Sequence, residues 1–215
     1  MADIALVIGN KNYSSWSLRA WMALKQCRVE FDEIKIQLSI PGAREKILSH
    51  SKAGLVPILK HKGETIWETM AICEYLAETY PEANLWPGEI AARARCRAVS
   101  NEMHAGFAAL RSQMPMDIKN TYPGKERGQE VIENIERIID IWQECRDQFG
   151  ESGPFLFGTF SIADAMFAPV VARFRSYEVD LPEIAAAYQD AVWGCPDMLE
   201  WRMASEAETW VIDYT

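Results

Sequence analysis

Residues 81–89, PEANLWPGE, divide the chain into two kinds of sequence. Two prolines and a glycine within nine residues suit neither a helix nor a strand, so the stretch reads as a linker. Before it, short apolar runs alternate with amphipathic ones. IALVI (4–8) and FDEIKI (31–36) read as strands, SWSLRAWMALKQC (15–27) and GAREKILSH (42–50) as helices. VPILKHKGETIWE (56–68) reads as two strands about the turn HKGE. TMAICEYLAETY (69–80) reads as a helix with Ile72, Tyr75 and Leu76 on one side. This βαβαββα order predicts a mixed sheet with helices packed on it. After the linker everything reads as helix. Val99, Met103, Phe107, Leu110 and Met114 predict one long helix with an apolar face. Val131, Ile135, Ile138, Ile139 and Trp142 predict the next, and SIADAMFAPVVARF (161–174) starts a third, with Ser161 and Asp164 placed as a capping box. The expected organisation is an α/β domain over 1–81, a linker over 82–88 and an all-α domain over 89–215, each large enough for a core.

Composition narrows the partners. A net charge of -9 repels a phosphate backbone, which argues against nucleic acid as the main partner. No apolar run is long enough to span a membrane, and MADIALVIGN lacks the positive start of a secretory signal. Cys27, Cys73, Cys96, Cys145 and Cys195 are odd in number and form no C-x-x-C. That suggests neither a disulfide framework nor a zinc site, and reduced thiols in a cytoplasmic protein are expected. No metal is expected.

The chemistry concentrates where the first strand hands over to the first helix, at NYSSWSLRAW (12–21). A βαβ unit followed by ββα, with a proline opening the third strand, is the layout of thioredoxin-like domains, in which a C-x-x-C opens the first helix. Ser14-Ser15-Trp16-Ser17 occupies that position here, so dithiol exchange is excluded there. A lone serine without an adjacent base is a poor nucleophile, and no G-x-S-x-G is present for a serine hydrolase. Two roles stay open for Ser14 and Ser15: capping the helix, or donating a hydrogen bond to an anion held at the helix N-terminus. The natural anion is a thiolate carried by a ligand.

Four stretches together resemble the cytosolic glutathione transferases over essentially the whole chain. SSWSLRAWMAL is similar to the zeta-class signature S-S-C-x-W-R-V-R-I-A-L and to the tau pattern S-x-F-S-x-R-V-R. GLVPIL (54–59) is similar to the family's strand-opening Val-Pro, and ETMAICEYL (68–76) to its E-S-x-A-I-x-x-Y-L. FLFGTFSIADA (155–165) resembles the helix-capping segment of its second domain.

The resemblance implies a glutathione S-transferase with glutathione as co-substrate, a small apolar electrophile, a role in detoxification and a homodimer. It assigns thiolate stabilisation to Ser14, with Ser15 as the alternative. A thiol of pKa about 8.5 lowered by about two units needs roughly 2.7 kcal/mol of preference for the thiolate. One charge-assisted hydrogen bond, about 1.5–3 kcal/mol, with a helix N-terminus is of that size. A cis Val56-Pro57 peptide is implied, turning Val56 to pair with the tripeptide as an added strand. Glu68 and Thr69 suit the γ-glutamyl ammonium and carboxylate. Leu55 stands where the family often has Lys or Gln, which leaves Gln37, His50 and Lys52 as candidates for the glycyl carboxylate. Tyr13, Trp16, Phe107, Leu110 and Arg111 are the candidate electrophile wall, and His104 is expected at the surface or an interface. Trp16 replaces the zeta cysteine that helps isomerise maleylacetoacetate. Alternatives are a zeta-like glutathione-dependent isomerase or dehalogenase, and a binding or scaffold protein that keeps only the fold.

Overall fold

The computed structural model describes residues 3–212. Four strands form one sheet in the order β2-β1-β3-β4. β1 (Ile4–Ile8) is parallel to β2 (Asp32–Lys35) and antiparallel to β3 (Ile58–His61), which pairs antiparallel with β4 (Glu64–Trp67). The parallel pair requires a crossover, and α1 (Ser15–Gln26) supplies it. Lys62 and Gly63 join β3 to β4 with φ of 49° and 86°, the left-handed geometry of a two-residue hairpin.

β1 is an interior strand and is apolar throughout because both of its faces are covered. Leu6 and Ile8 join the main core with residues of α1 and of α3 (Thr69–Thr79). Val7 points the other way, to Ile36, Ile58 and Ile47 of α2 (Ala43–Leu48).

After a short 3-10 turn at Pro81–Ala83 the described residues form six helices: α4 (Ile90–Ala105), α5 (Ala108–Gln113), α6 (Gln129–Phe149), α7 (Ile162–Ser176), α8 (Glu183–Gly194) and α9 (Pro196–Ala207). α7 is apolar on nearly every side and is the buried helix of this half, packed against α1 and α4. Its capping box forms as expected, with Ser161 N–H donating to Asp164 Oδ2 at 2.8 Å. Burial pushes the Asp164 carboxyl up to about 6 against those hydrogen bonds. All five cysteines are unpaired and buried, and burial pushes the thiols of Cys27, Cys73, Cys96 and Cys145 up to about 12.

One expectation fails. The single long helix predicted through Met114 is two helices, broken at Gly106 and Phe107. A Cβ on Gly106 would lie 2.8 Å from the Glu102 carbonyl oxygen, and Phe107 adopts φ 59°. Arg111, from α5, donates to the carbonyls of Met103, His104 and Gly106, which closes the end of α4. The apolar spacing survives the break because Leu110 and Met114 turn back into the same core.

Candidate functional site

The loop from Gly9 to Tyr13 delivers the chain from β1 into α1, and Ser14 is the N-cap position. Neither serine uses its side chain as a cap. The Ser14 hydroxyl makes no bond to a helix amide and instead lies 2.7 Å from Ser17 Oγ. Ser17 Oγ also accepts from Gly9 N–H at 3.0 Å. The Ser15 hydroxyl has no hydrogen bond among the described residues. Either hydroxyl of the Ser14–Ser17 pair can donate. When Ser17 donates, the chain runs from Gly9 N–H through Ser17 to Ser14, and the Ser14 proton is left for a third partner.

Ser14 and Ser15 line a cavity of about 270 Å³ together with Tyr13, Trp16, Leu38, Leu55 and Val56. A second cavity of about 250 Å³ shares Trp16, Leu55 and Val56 with it and extends to Pro57, Glu68, Thr69 and His104. The Val56-Pro57 peptide is cis. Among the described residues, neither the N–H nor the C=O of Val56 has a hydrogen-bond partner, although the next residues pair in β3. Glu68 is the N-cap residue of α3 and is held at φ 70°, a strained position for a side-chain-bearing residue. Thr69 opens α3 and is buried, so the first-turn amides of this helix end at the cavity wall.

Trp16 lines both cavities and meets residues of the helical half. The Arg19 guanidinium lies 4.3 Å from its ring centroid, Arg111 5.7 Å, and the His104 ring meets it edge-on at 5.1 Å. Arg19 is wholly buried. Its Nε donates to the Met166 carbonyl of α7 at 2.9 Å, while Nη1 and Nη2 have no hydrogen-bond partner. Burial lowers its pKa, and Arg173 and Arg111 lower it further. His104 Nε2 is 3.8 Å from Glu68 Oε2. Burial holds the His104 pKa below the ordinary value; Glu68 opposes this, and Arg19 and Arg111 add to it.

Of the expected site residues, Tyr13, Ser14, Ser15, Trp16, Val56, Pro57, Glu68 and Thr69 come together around these adjoining cavities. Leu110 is wholly buried and Phe107 nearly so; both sit in the core rather than on either cavity wall. Arg111 approaches Trp16 but uses its donors on the end of α4. His50 and Lys52 line a separate cavity of about 400 Å³ that meets the cleft at Ala53 and Trp67. Gln37 lines none of these three cavities. His104, expected at the surface or an interface, is part-exposed and lines the cleft, a position that sequence reasoning did not assign to it. A signal was present, since Ser100 and His104 are one turn apart beside the apolar stripe, and Ser100 is buried.

Two family models match the chain: "Glutathione S-transferase, N-terminal domain" over residues 13–79 and "Glutathione S-transferase, C-terminal domain" over 125–205. A probable maleylacetoacetate isomerase of Caenorhabditis elegans is 25% identical over 191 residues, 82% of this chain and 88% of the relative. Maleylacetoacetate isomerase of Mus musculus is 29% identical over 174 residues, 78% of this chain and 76% of the relative. Among solved structures, a glutathione transferase homolog from Burkholderia with bound glutathione superposes with a TM-score of 0.73 at 22% identity, covering 95% of this chain and 99% of that one. Both halves of the chain carry the family's domains in the family's order, and the chain belongs to the glutathione S-transferase family.

Proposed function

We propose that the protein is a glutathione S-transferase that binds glutathione in the cleft between its sheet and its helical half and ionises the thiol at Ser14. The observation that carries this is the relay Gly9 N–H, Ser17 Oγ, Ser14 Oγ, which ends at a cavity beside the unpaired peptide groups of Val56. The tripeptide runs along Val56 as an added strand. Its γ-glutamyl carboxylate meets the α3 amides at Thr69, and its ammonium meets Glu68. The cysteinyl sulfur then lies against Ser14. Its proton leaves to solvent, Ser14 donates to the thiolate, and the thiolate forms a carbon–sulfur bond with an electrophile as the leaving group departs with its electron pair. Trp16 and Leu55 form the apolar wall against which the electrophile rests, with the His104 imidazole beside them.

A second reading within the family is glutathione-dependent isomerisation. The names of the curated relatives favour it, although Trp16 stands at the position of the zeta-class cysteine.

Titrating the ultraviolet absorbance of the bound thiolate tests the proposal. Ser14→Ala raises the thiol pKa by about one to two units, which is roughly 1.4–2.7 kcal/mol. Ser17→Ala raises it less, and Ser15→Ala leaves it in place. A titration unmoved by Ser14→Ala contradicts the proposal.

A further inference from the structure

We propose that Asn12 is a positioning residue through which the helical half fixes the loop that presents Ser14. The inference rests on the role proposed above for Ser14.

The loop between β1 and α1 is buried: Asn10 and Asn12 are wholly inaccessible and Lys11 nearly so. It is turned by its own backbone, since the Asn10 carbonyl accepts from Tyr13 N–H at 3.2 Å and from Ser14 N–H at 2.8 Å. Those two bonds set the place of Ser14, but nothing in them fixes the turn relative to the cleft. On the sheet side, Asn10 Oδ1 accepts from Leu38 N–H at 2.7 Å. All the side-chain bonds of Asn12 go the other way, to residues more than a hundred positions distant. Its Nδ2 donates to Asp117 Oδ1 at 2.8 Å, and its Oδ1 accepts from Ile118 N–H at 2.8 Å, Lys119 N–H at 3.0 Å and the Ser205 hydroxyl at 3.3 Å. The backbone beside it is held by the same half: Trp201 Nε1 donates to the Lys11 carbonyl at 2.8 Å, and Glu208 accepts from Lys11 N–H at 3.0 Å.

The anchor is charge-assisted. Burial pushes the Asp117 carboxyl up, but hydrogen bonds from Asn120, Tyr122 and Asn12 outweigh it and hold the group below the ordinary carboxylate range. Asp117 is therefore ionised at neutral pH, and a buried amide–carboxylate bond of this kind is about twice as strong as a neutral one. The loop that carries Ser14 is thus tied to α9 and to the segment 117–119, not only to the sheet it emerges from. A hydroxyl must lie within a few tenths of an ångström of its partner to stabilise a charge, so slack in this tie is read at the thiolate.

The exchange variant separates positioning from mere stability. Asn12→Ala and Asp117→Asn are each compared with the double variant Asn12→Asp with Asp117→Asn, which restores one amide and one carboxylate in reversed order. Val171→Ala in the core of α7 serves as a control for lost stability. The expected result is that Asn12→Ala raises the pKa of the glutathione thiol by about one unit, cutting the conjugation rate several-fold at neutral pH but not at high pH. Glutathione affinity changes less than twofold, the exchange variant restores the titration, and Val171→Ala leaves it alone. Should Asn12→Ala not fold, Glu208→Ala, at the less buried end of the tie, shifts the titration in the same direction. A thiol titration identical to wild type in Asn12→Ala, or in Glu208→Ala where that variant is the one measured, overturns the proposal. Ser14→Ala run alongside tells the two ideas apart: if it moves the titration while the loop variants do not, only the tie fails, and if it does not, the role of Ser14 fails with it.

Discussion

Trp16 occupies the position at which two cations and an imidazole meet the cleft. A tryptophan face over the buried Arg19 supplies part of the solvation that the unpartnered Nη1 and Nη2 lack, as cation–π contacts do when desolvated. The cations in turn act on His104. Burial, Arg19 and Arg111 favour its neutral form, and the Glu68 carboxylate opposes them. A His whose folded pKa is depressed contributes stability that is present above its unfolded value, about 6.5, and is lost as pH falls through the folded value. Two results follow. The His104 ring titrates below about 6.5 by nuclear magnetic resonance, and Glu68→Gln lowers that midpoint further. Acidification also destabilises wild type more steeply than His104→Asn. A midpoint at or above the ordinary histidine value contradicts this description of the cleft. The placement of Ser14, Glu68 and Thr69 at helix starts beside the cavities is legible in the sequence, because each sits beside a family motif. For His104 the only local signal is its one-turn spacing from Ser100, because Trp16, Arg19 and Glu68, which act on its ring, lie about 35 to 90 positions away.

At the scale of elements, the strands and the first three helices follow from apolar periodicity and from the turn residues between them. The break between α4 and α5 does not, because the apolar spacing continues across it. What decides it is steric and local. Gly106 leaves no room for a side chain against Glu102, and the freed carbonyls of α4 are taken by Arg111. Gly106→Ala therefore forces the end of α4 to shift, at a cost of about 1–3 kcal/mol as for an overpacked site. Since His104 lies two residues earlier, the variant also disturbs the cleft. Thermal unfolding reads the first effect, and glutathione affinity the second. An unchanged midpoint of unfolding contradicts the steric reading of the break.

At the scale of the molecule, the cleft is built jointly. The sheet half supplies the serines, Val56 and the start of α3; the helical half supplies His104 and the anchors of the loop before Ser14. Leu55 and Trp67 lie at the rim and are more than half exposed, at 61% and 52%. The homodimer that the family resemblance implies has twice the 24.4 kDa of one chain. Sedimentation at micromolar concentration is expected to give that doubled mass, and a monomer mass contradicts it. The most direct measurement is a crystal structure of the protein with glutathione. The expected complex has the sulfur within hydrogen-bond reach of Ser14 Oγ, the cysteinyl backbone paired with Val56, and the γ-glutamyl end at Glu68 and Thr69. A sulfur lying out of reach of Ser14, beside Ser15 or His104 instead, contradicts the role given to Ser14.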